Sequence, residues 1–414
     1  MKLTLLKLAG GVMSVLAFAD LGRAQTESLP ALEPGQRGIA IHVGRAITLD
    51  GDDRTHQPGL VAAIDGRIVY VGRPSAVPAG YEVVERPQTW AVPGMIDLHA
   101  HIGSAGFGDL NDSVFSVGAE LRSAPAIVPG NPLLRTACAA GVTTLFLIPG
   151  SGTSIGGFGT LFKTRTRTTF DRAVFANPGG MKVAQTHNPE RRAGDVGATR
   201  AGLSWVLAEV NGRARAANAA GVEDFALSAL QRVHRRELPV LIHCAGSDGT
   251  AAAVRMWKLQ YDTHSVISHG SLGGHRVAAF AAAADMPVNH GPRTQDFFVS
   301  RTGAVEPSAF HYWKSGLPNF SLNTDSPVIP QHELLLQGTM SARQGVPSSQ
   351  ALRALTLHPA RAFAIDHRLG SLEVGKDADV VLWSGDPLDP RSRVETVLIE
   401  GEIQYDRAVH GQWF

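Results

Sequence analysis

The chain of 414 residues is 44% hydrophobic and 18% charged, with 45 glycines and a formal net charge of +1, which excludes a disordered, collagenous or membrane-embedded polypeptide. So small a net charge creates no field that would hold nucleic acid or an anionic bilayer, and Cys138 and Cys244 alone make no disulfide framework. The length suits two or three domains, or one large barrel with an appended unit.

In chain order, Lys2 and Lys7 precede or interrupt an apolar run through Leu8, Val12, Leu16 and Phe18 that ends at Gly22-Arg23-Ala24. The pattern predicts a cleaved secretory leader over residues 1–24, and with it a bacterial periplasmic or secreted protein. The run is shorter than the roughly 20 apolar residues of a membrane span, so no stable span is expected after cleavage. From Gly38 to about Val92, short runs broken by Asp50-Gly51 and Asp65-Gly66 predict strands and hairpins. The same texture returns at residues 379–383 and 394–405. Neither end has enough strands to bury a core alone, so residues 25–95 and 368–414 are expected to join in one small β-sandwich.

Residues 96–367 alternate strand-like and helix-like segments. A helical pattern over residues 133–140, stopped by Gly141, precedes the apolar run 142–148; the run 240–244 precedes a helical pattern at 250–260; the run 266–269 precedes another at 276–284. Such alternation over about 250 residues predicts an α/β fold of the (β/α)₈ TIM barrel type. A doubly wound open sheet is the competing architecture.

The sharpest local signal is Pro93-Gly94-Met95-Ile96-Asp97-Leu98-His99-Ala100-His101. His99 and His101 stand two apart at the end of an apolar strand, so strand geometry predicts both imidazoles on one side. At the C-terminal end of a barrel strand that side is the mouth, where chemistry sits. Imidazole is the commonest protein ligand for Zn²⁺ and related ions, but one such pair is a weak signal. The pattern recurs. His243 ends the run 239–242, His269 ends 266–268, and Asp325 ends 320–324. If these strands are neighbours in one barrel, the side chains of His99, His101, His243, His269 and Asp325 converge on a single point, which separate buried histidines would not do.

These residues resemble the amidohydrolase superfamily of metal-dependent hydrolases, in its imidazolonepropionase-like and prolidase-like branch. The resemblance rests on residues 93–101, 140–144, 241–243, 267–270, 323–325, 355–360 and 370–379, and extends from about Gly38 to Tyr405. It implies a barrel with a sandwich made from both termini and one or two metal ions. His99 and His101 would end strand 1, His243 and His269 strands 5 and 6, and Asp325 strand 8. Binuclear members also need a bridging carboxylate from strand 4. Here Lys182 is the candidate carboxylated bridge, and His187, where similar sequences carry glutamate, is a candidate direct ligand or else a loop histidine. Ser326 stands where near relatives often show histidine.

The glycine-rich stretch 149–159 lacks the Gly-Lys-Ser/Thr ending of a phosphate loop. It is expected to lie over the barrel mouth, with Lys163 as a substrate contact. Cys244 is expected to turn away from the mouth by strand alternation. The expected reaction is hydrolysis of an amide or cyclic amide C–N bond outside standard peptides, with Asp325 as general base and His269 binding metal or holding the oxyanion. The partner is a small-molecule substrate, and a homo-oligomer is left open. Zn²⁺ is the expected ion, and Fe²⁺, Mn²⁺ or Co²⁺ is compatible with the same donors. Rival readings are an esterase or lactonase on the same site, an isomerase or decarboxylase, and a metal-free binding barrel.

Overall fold

A computed structural model describes residues 28–104, 111–112, 114–190, 196–295 and 297–413. The leader expected over residues 1–24 lies outside them. The chain begins with β1 (Gly38–Ile47), β2 (Thr55–His56), β3 (Gly59–Ile64), β4 (Arg67–Gly72) and β5 (Tyr81–Pro93). In β1, Ile39, Ile41 and Val43 enter one apolar cluster while Ala40 enters another with Leu60, Ala62 and Tyr70. That is the period-2 signature of a strand covered on both faces.

The central strands follow: β6 (Met95–Ala100), β7 (Val142–Leu147), β8 (Ile155–Lys163), β9 (Val174–Ala184), β10 (Val240–Ala245), β11 (Ser265–Ser271) and β12 (Val288–His290). A small hairpin, β13 (Phe298–Val299) and β14 (Val305–Glu306), precedes β15 (Ser321–Leu322). The last strands are β16 (Val380–Trp383), β17 (Val394–Ile399) and β18 (Glu402–Asp406).

Strand β5 pairs in parallel with β1 and antiparallel with β16, so both chain ends share one eight-stranded sheet. The expected union of the termini is therefore a single hydrogen-bonded sheet. Val380, Leu382 and Leu398 pack in one cluster with Ile39, Ile41 and Val43. Their neighbours Val381, Val397 and Ile399 belong instead to the main core beneath the sheet.

The second sheet also has eight strands, in the order β15-β12-β11-β10-β9-β8-β7-β6. Its edges nearly meet: Ala100 forms a parallel bridge with Ser326, and the His101 N–H donates to the Ser326 carbonyl at 2.7 Å. The result is a mixed α/β fold around a nearly closed barrel. Leu241 and Val266 pack inside it with Ile96, Leu98 and Phe146. Val240, Ile242, Cys244 and Ile267 face the surrounding helices, and β10 is buried throughout, as expected for a strand covered on both faces.

One strand departs from an all-parallel barrel, since β8 runs antiparallel to both β7 and β9. Only residues 148–154 separate β7 from β8, too few for a helical crossover, which takes a dozen or more. The chain turns back as a hairpin. The glycine-rich stretch is thereby split between the turn and β8 itself, and Lys163, at the end of β8, pairs with Thr144 near the start of β7. Among the described residues no helix is long and apolar enough to cross a membrane.

Candidate active site

Plain alternation does not bring all the expected side chains together. In β11, Val266 faces the barrel interior and Ile267 the helices, so Ser268 should turn inward and His269 outward. Ser268 does so, and its Oγ lies 2.6 Å from His99 Nδ1. His269, however, has φ +76° and Gly270 φ +52°, and the pairing with β10 slips just there, between Cys244 and Ala245. This left-handed irregularity redirects the imidazole. Its centroid comes within 4.4 Å of the His99 ring and 4.5 Å of the His243 ring. Asp325 also sits in the left-handed region, at φ +50°. Strain of this kind persists only where the surroundings over-determine it.

Asp325 Oδ1 lies 3.1 Å from His99 Nε2 and 3.1 Å from His101 Nε2, and Oδ2 lies 3.9 Å from His269 Nε2. His99, His269 and Asp325 each offer one ligand atom, all within 4.8 Å of one another. His101 Nδ1–H donates to the Ile148 carbonyl at 2.9 Å, and His269 Nδ1–H to that of Gly291 at 2.6 Å. A carbonyl only accepts, so each neutral ring turns its Nε2 lone pair toward the centre. His101 Nε2 and Asp325 Oδ1 then face each other as two acceptors, which requires a proton or a cation between them.

His269 Nε2 and both ring nitrogens of His243 are buried without a hydrogen-bond partner, and His99 Nε2, also buried, has only the Asp325 carboxylate beside it. Each such orphan costs about 1–3 kcal/mol, so their clustering fits a cation site better than a packed core. Imidazole nitrogen with carboxylate oxygen is a donor set suited to Zn²⁺ and its neighbours. Burial, before any other cause, holds His99 and His243 well below the usual imidazole range and lowers His269. The rings therefore stay neutral and able to ligate. Burial opposes the charge of Asp325, yet positive charge at the neighbouring His99 and His269, a proton or a cation shared with them, outweighs that effect and holds its carboxyl well below the usual carboxylate range.

Lys182, on β9, is fully buried, and its Nζ donates to Ser151 Oγ at 2.7 Å. Burial pushes its ammonium down to about 7, against the pull of Asp325, which leaves a substantial share of it as the neutral amine near neutral pH. His187 lies just past β9 at φ +70°, its Nδ1 3.0 Å from Thr186 Oγ1. No hydrogen bond or ring contact joins it to His99, His101, His243 or His269. Ser326 serves the barrel seam, where its carbonyl takes the His101 N–H.

Lys163 requires a correction. Its Nζ donates to Asp379 Oδ2 at 2.6 Å and lies 3.2 Å from Asp377 Oδ2. The reversal of β8 carries it to the foot of the barrel, against the terminal sheet, so it does not reach the mouth as a substrate contact. Cys244 faces the helices as expected, and burial pushes its thiol up to about 12.

Two residues were missed by reasoning from the sequence. Asp97 is fully buried; its Oδ1 accepts the His99 N–H at 2.9 Å, and its Oδ2 accepts from Thr324 N–H, Thr324 Oγ1 and Gln331 Nε2 at 3.0, 2.7 and 2.7 Å. It ties the strand bearing His99 to the loop bearing Asp325. His290 ends β12, donates Nδ1–H to the His269 carbonyl at 2.8 Å and accepts from Ser308 Oγ at 2.8 Å. Its strand-end position was the available signal, but β12 is only three residues long. Beside His101 a cavity of about 220 Å³ opens, with Asn111, Arg122, Ile148 and Thr153 in its wall.

A model of the Amidohydrolase family matches residues 312–405. Amidohydrolase tasK of Hapsidospora irregularis is 25% identical over 402 residues, which are 85% of this chain and 39% of that protein, so the chain spans about two fifths of that relative's length. Imidazolonepropionase of Sphingopyxis alaskensis is 26% identical over 382 residues, covering 83% of this chain and 91% of that protein. The crystal structure of an amidohydrolase from Thermotoga maritima MSB8 aligns with a TM-score of 0.80 at 27% identity, over 89% of this chain and 100% of that one.

Proposed function

Because the chain belongs to the amidohydrolase superfamily, in its imidazolonepropionase-like and prolidase-like branch, we propose that it hydrolyses a carbon–nitrogen bond in a small amide or cyclic amide at a divalent metal centre. The observation that carries this reading is the gathering of His99, His101, His243, His269 and Asp325, with His269 Nε2 and both ring nitrogens of His243 buried without a hydrogen-bond partner. We assign the scaffold as a (β/α)₈ barrel over residues 96–367 with its third strand reversed. We assign residues 25–95 and 368–414 to the accompanying terminal unit expected as a sandwich, whose described strands join in one hydrogen-bonded sheet, and the leader over residues 1–24 to export into the periplasm or the medium.

His99, His101, His243, His269 and Asp325 would hold the ion, Zn²⁺ in the first instance. Lys182 is the strand-4 residue for a second ion as a carboxylated bridge, supported over His187 by its burial beside the charge of Asp325. When bound, such an ion lowers the pKa of a water molecule and polarises a carbonyl. Asp325, ionised and within 3.1 Å of two imidazoles, accepts the attacking water's proton and returns it to the leaving nitrogen. His269, its ring fixed by the Gly291 carbonyl, binds the ion or helps hold the developing oxyanion. Asp97 positions both halves of the centre. The cavity beside His101 admits a small molecule, whose identity rests with the surrounding loops.

The test is metal quantification on protein prepared without chelator, beside the His99→Ala variant, with matched amide and ester substrates. The expected result is a bound ion and amide hydrolysis in the parent, both lost in the variant. Unchanged metal content in the variant would remove the centre, and turnover of esters alone would replace the bond class.

A further inference from the structure

A second cavity, of about 330 Å³, lies away from the barrel mouth, between the terminal sheet and the helix Leu334–Arg343. Its wall combines apolar groups, Trp383, Leu335, Leu336 and Tyr405, with the charges of Glu333 and Arg393. Leu336 is 43% exposed there. The other carboxylate and guanidinium in the wall are engaged: Asp389 with Arg391 at 2.6 Å and Arg407 with Glu395 at 3.6 Å. Glu333 and Arg393, by contrast, have no side-chain ion pair or hydrogen bond among the described residues. The Trp383 indole N–H is also buried without an acceptor.

One acid, one guanidinium and an apolar wall between helix and sheet are complementary to a zwitterion with an apolar side chain. We propose that this cavity binds a free amino acid with an aliphatic or aromatic side chain, its carboxylate on Arg393 and its ammonium on Glu333. The site adjoins the catalytic network. Glu333 shares a single helical turn, Gln331–Glu333, with the Gln331 side chain that bonds Asp97 at 2.7 Å, and Asp97 in turn holds Thr324 beside Asp325. An occupant leaning on that turn therefore acts as an effector of the centre, a clause that rests on the metal reading above, whereas the binding itself does not.

Calorimetric titration of L-phenylalanine and L-leucine into the full chain, and into His99→Ala, tests the binding. Saturable binding is expected in both proteins, since the site is separate from the metal centre. Arg393→Gln and Glu333→Gln should each weaken it about tenfold or more, as loss of a charge-assisted contact does. Phenethylamine, without the carboxylate, and N-acetylphenylalanine, without the ammonium, should fail to compete. Absence of binding, indifference to both substitutions, or a second copy of the chain covering the cavity in a dimer abolished by Leu336→Asp would each overturn the proposal. In the zinc-loaded protein, L-phenylalanine should shift Zn²⁺ affinity, with the reciprocal shift in its own affinity. Binding without that shift overturns the effector role alone.

Discussion

Asp97 and Thr324 are bonded twice across the barrel seam, through the Thr324 backbone N–H at 3.0 Å and its hydroxyl at 2.7 Å. With the His99 N–H and Gln331 Nε2 as further donors, every neighbour of the carboxyl needs an acceptor. Only the ionised form meets that need completely. Burial pushes Asp97 up to about 6, so it remains ionised at neutral pH. Asp97→Asn turns an amide donor onto these donors and should cost about 1–3 kcal/mol of stability. Urea unfolding of variant and parent checks this, with retained metal as the second readout; identical curves and identical metal content would show that the seam does not depend on the carboxylate.

His243 has both ring nitrogens buried and unpaired. Without a cation it is a polar group with nothing to gain from its position, so His243→Leu should leave the metal-free protein as stable as the parent or more so. The stabilisation that added Zn²⁺ confers on the parent should shrink in the variant, since a ligand that binds only the folded state raises its stability by mass action. Thermal unfolding with and without Zn²⁺ measures both effects. A large loss of stability in the metal-free variant would mean that the imidazole has a structural partner.

Lys163 lies between Asp377 and Asp379 with its side chain 2% exposed. Lys163→Met strands the buried carboxylate of Asp379, whereas Asp377 keeps Arg67 and Arg368, and breaking a buried pair in this way costs about 3–5 kcal/mol. The expected outcome is a lowered melting temperature with KM for the hydrolysed substrate unchanged in the folded fraction. A raised KM at unchanged stability would return Lys163 to the substrate site.

His358 donates Nδ1–H to the Phe320 carbonyl at 2.8 Å, and burial holds its imidazole down to about 4. Unfolding releases it to the ordinary value near 6.5, so below that pH the unfolded state binds the extra proton. Stability is thus full above about pH 6.5 and is lost as pH falls toward 4, by about 3 kcal/mol once both states are protonated. His358→Gln should show a smaller loss between pH 7 and pH 4.5 in denaturant melts. An equal loss in both proteins would assign the acid sensitivity to other groups.

The amino-acid sequence alone determined which side chains could meet and at which strand ends, because apolar periodicity and ligand chemistry are local properties. Met95 to Ala100 and Val240 to Ala245 are legible as buried strands by composition, and His99 and His243 follow from them. Tertiary structure decided the rest, where pairing between distant segments governs the outcome. The antiparallel course of β8 depends on its two neighbours, and with it Lys163 moved from mouth to foot. The inward turn of His269 depends on a left-handed backbone held against β10, which strand alternation predicts wrongly. Asp97 acquired its role only when Thr324 and Gln331, more than 200 residues away, came within hydrogen-bonding reach, since a donor network has no signature in a linear chain until folding closes it.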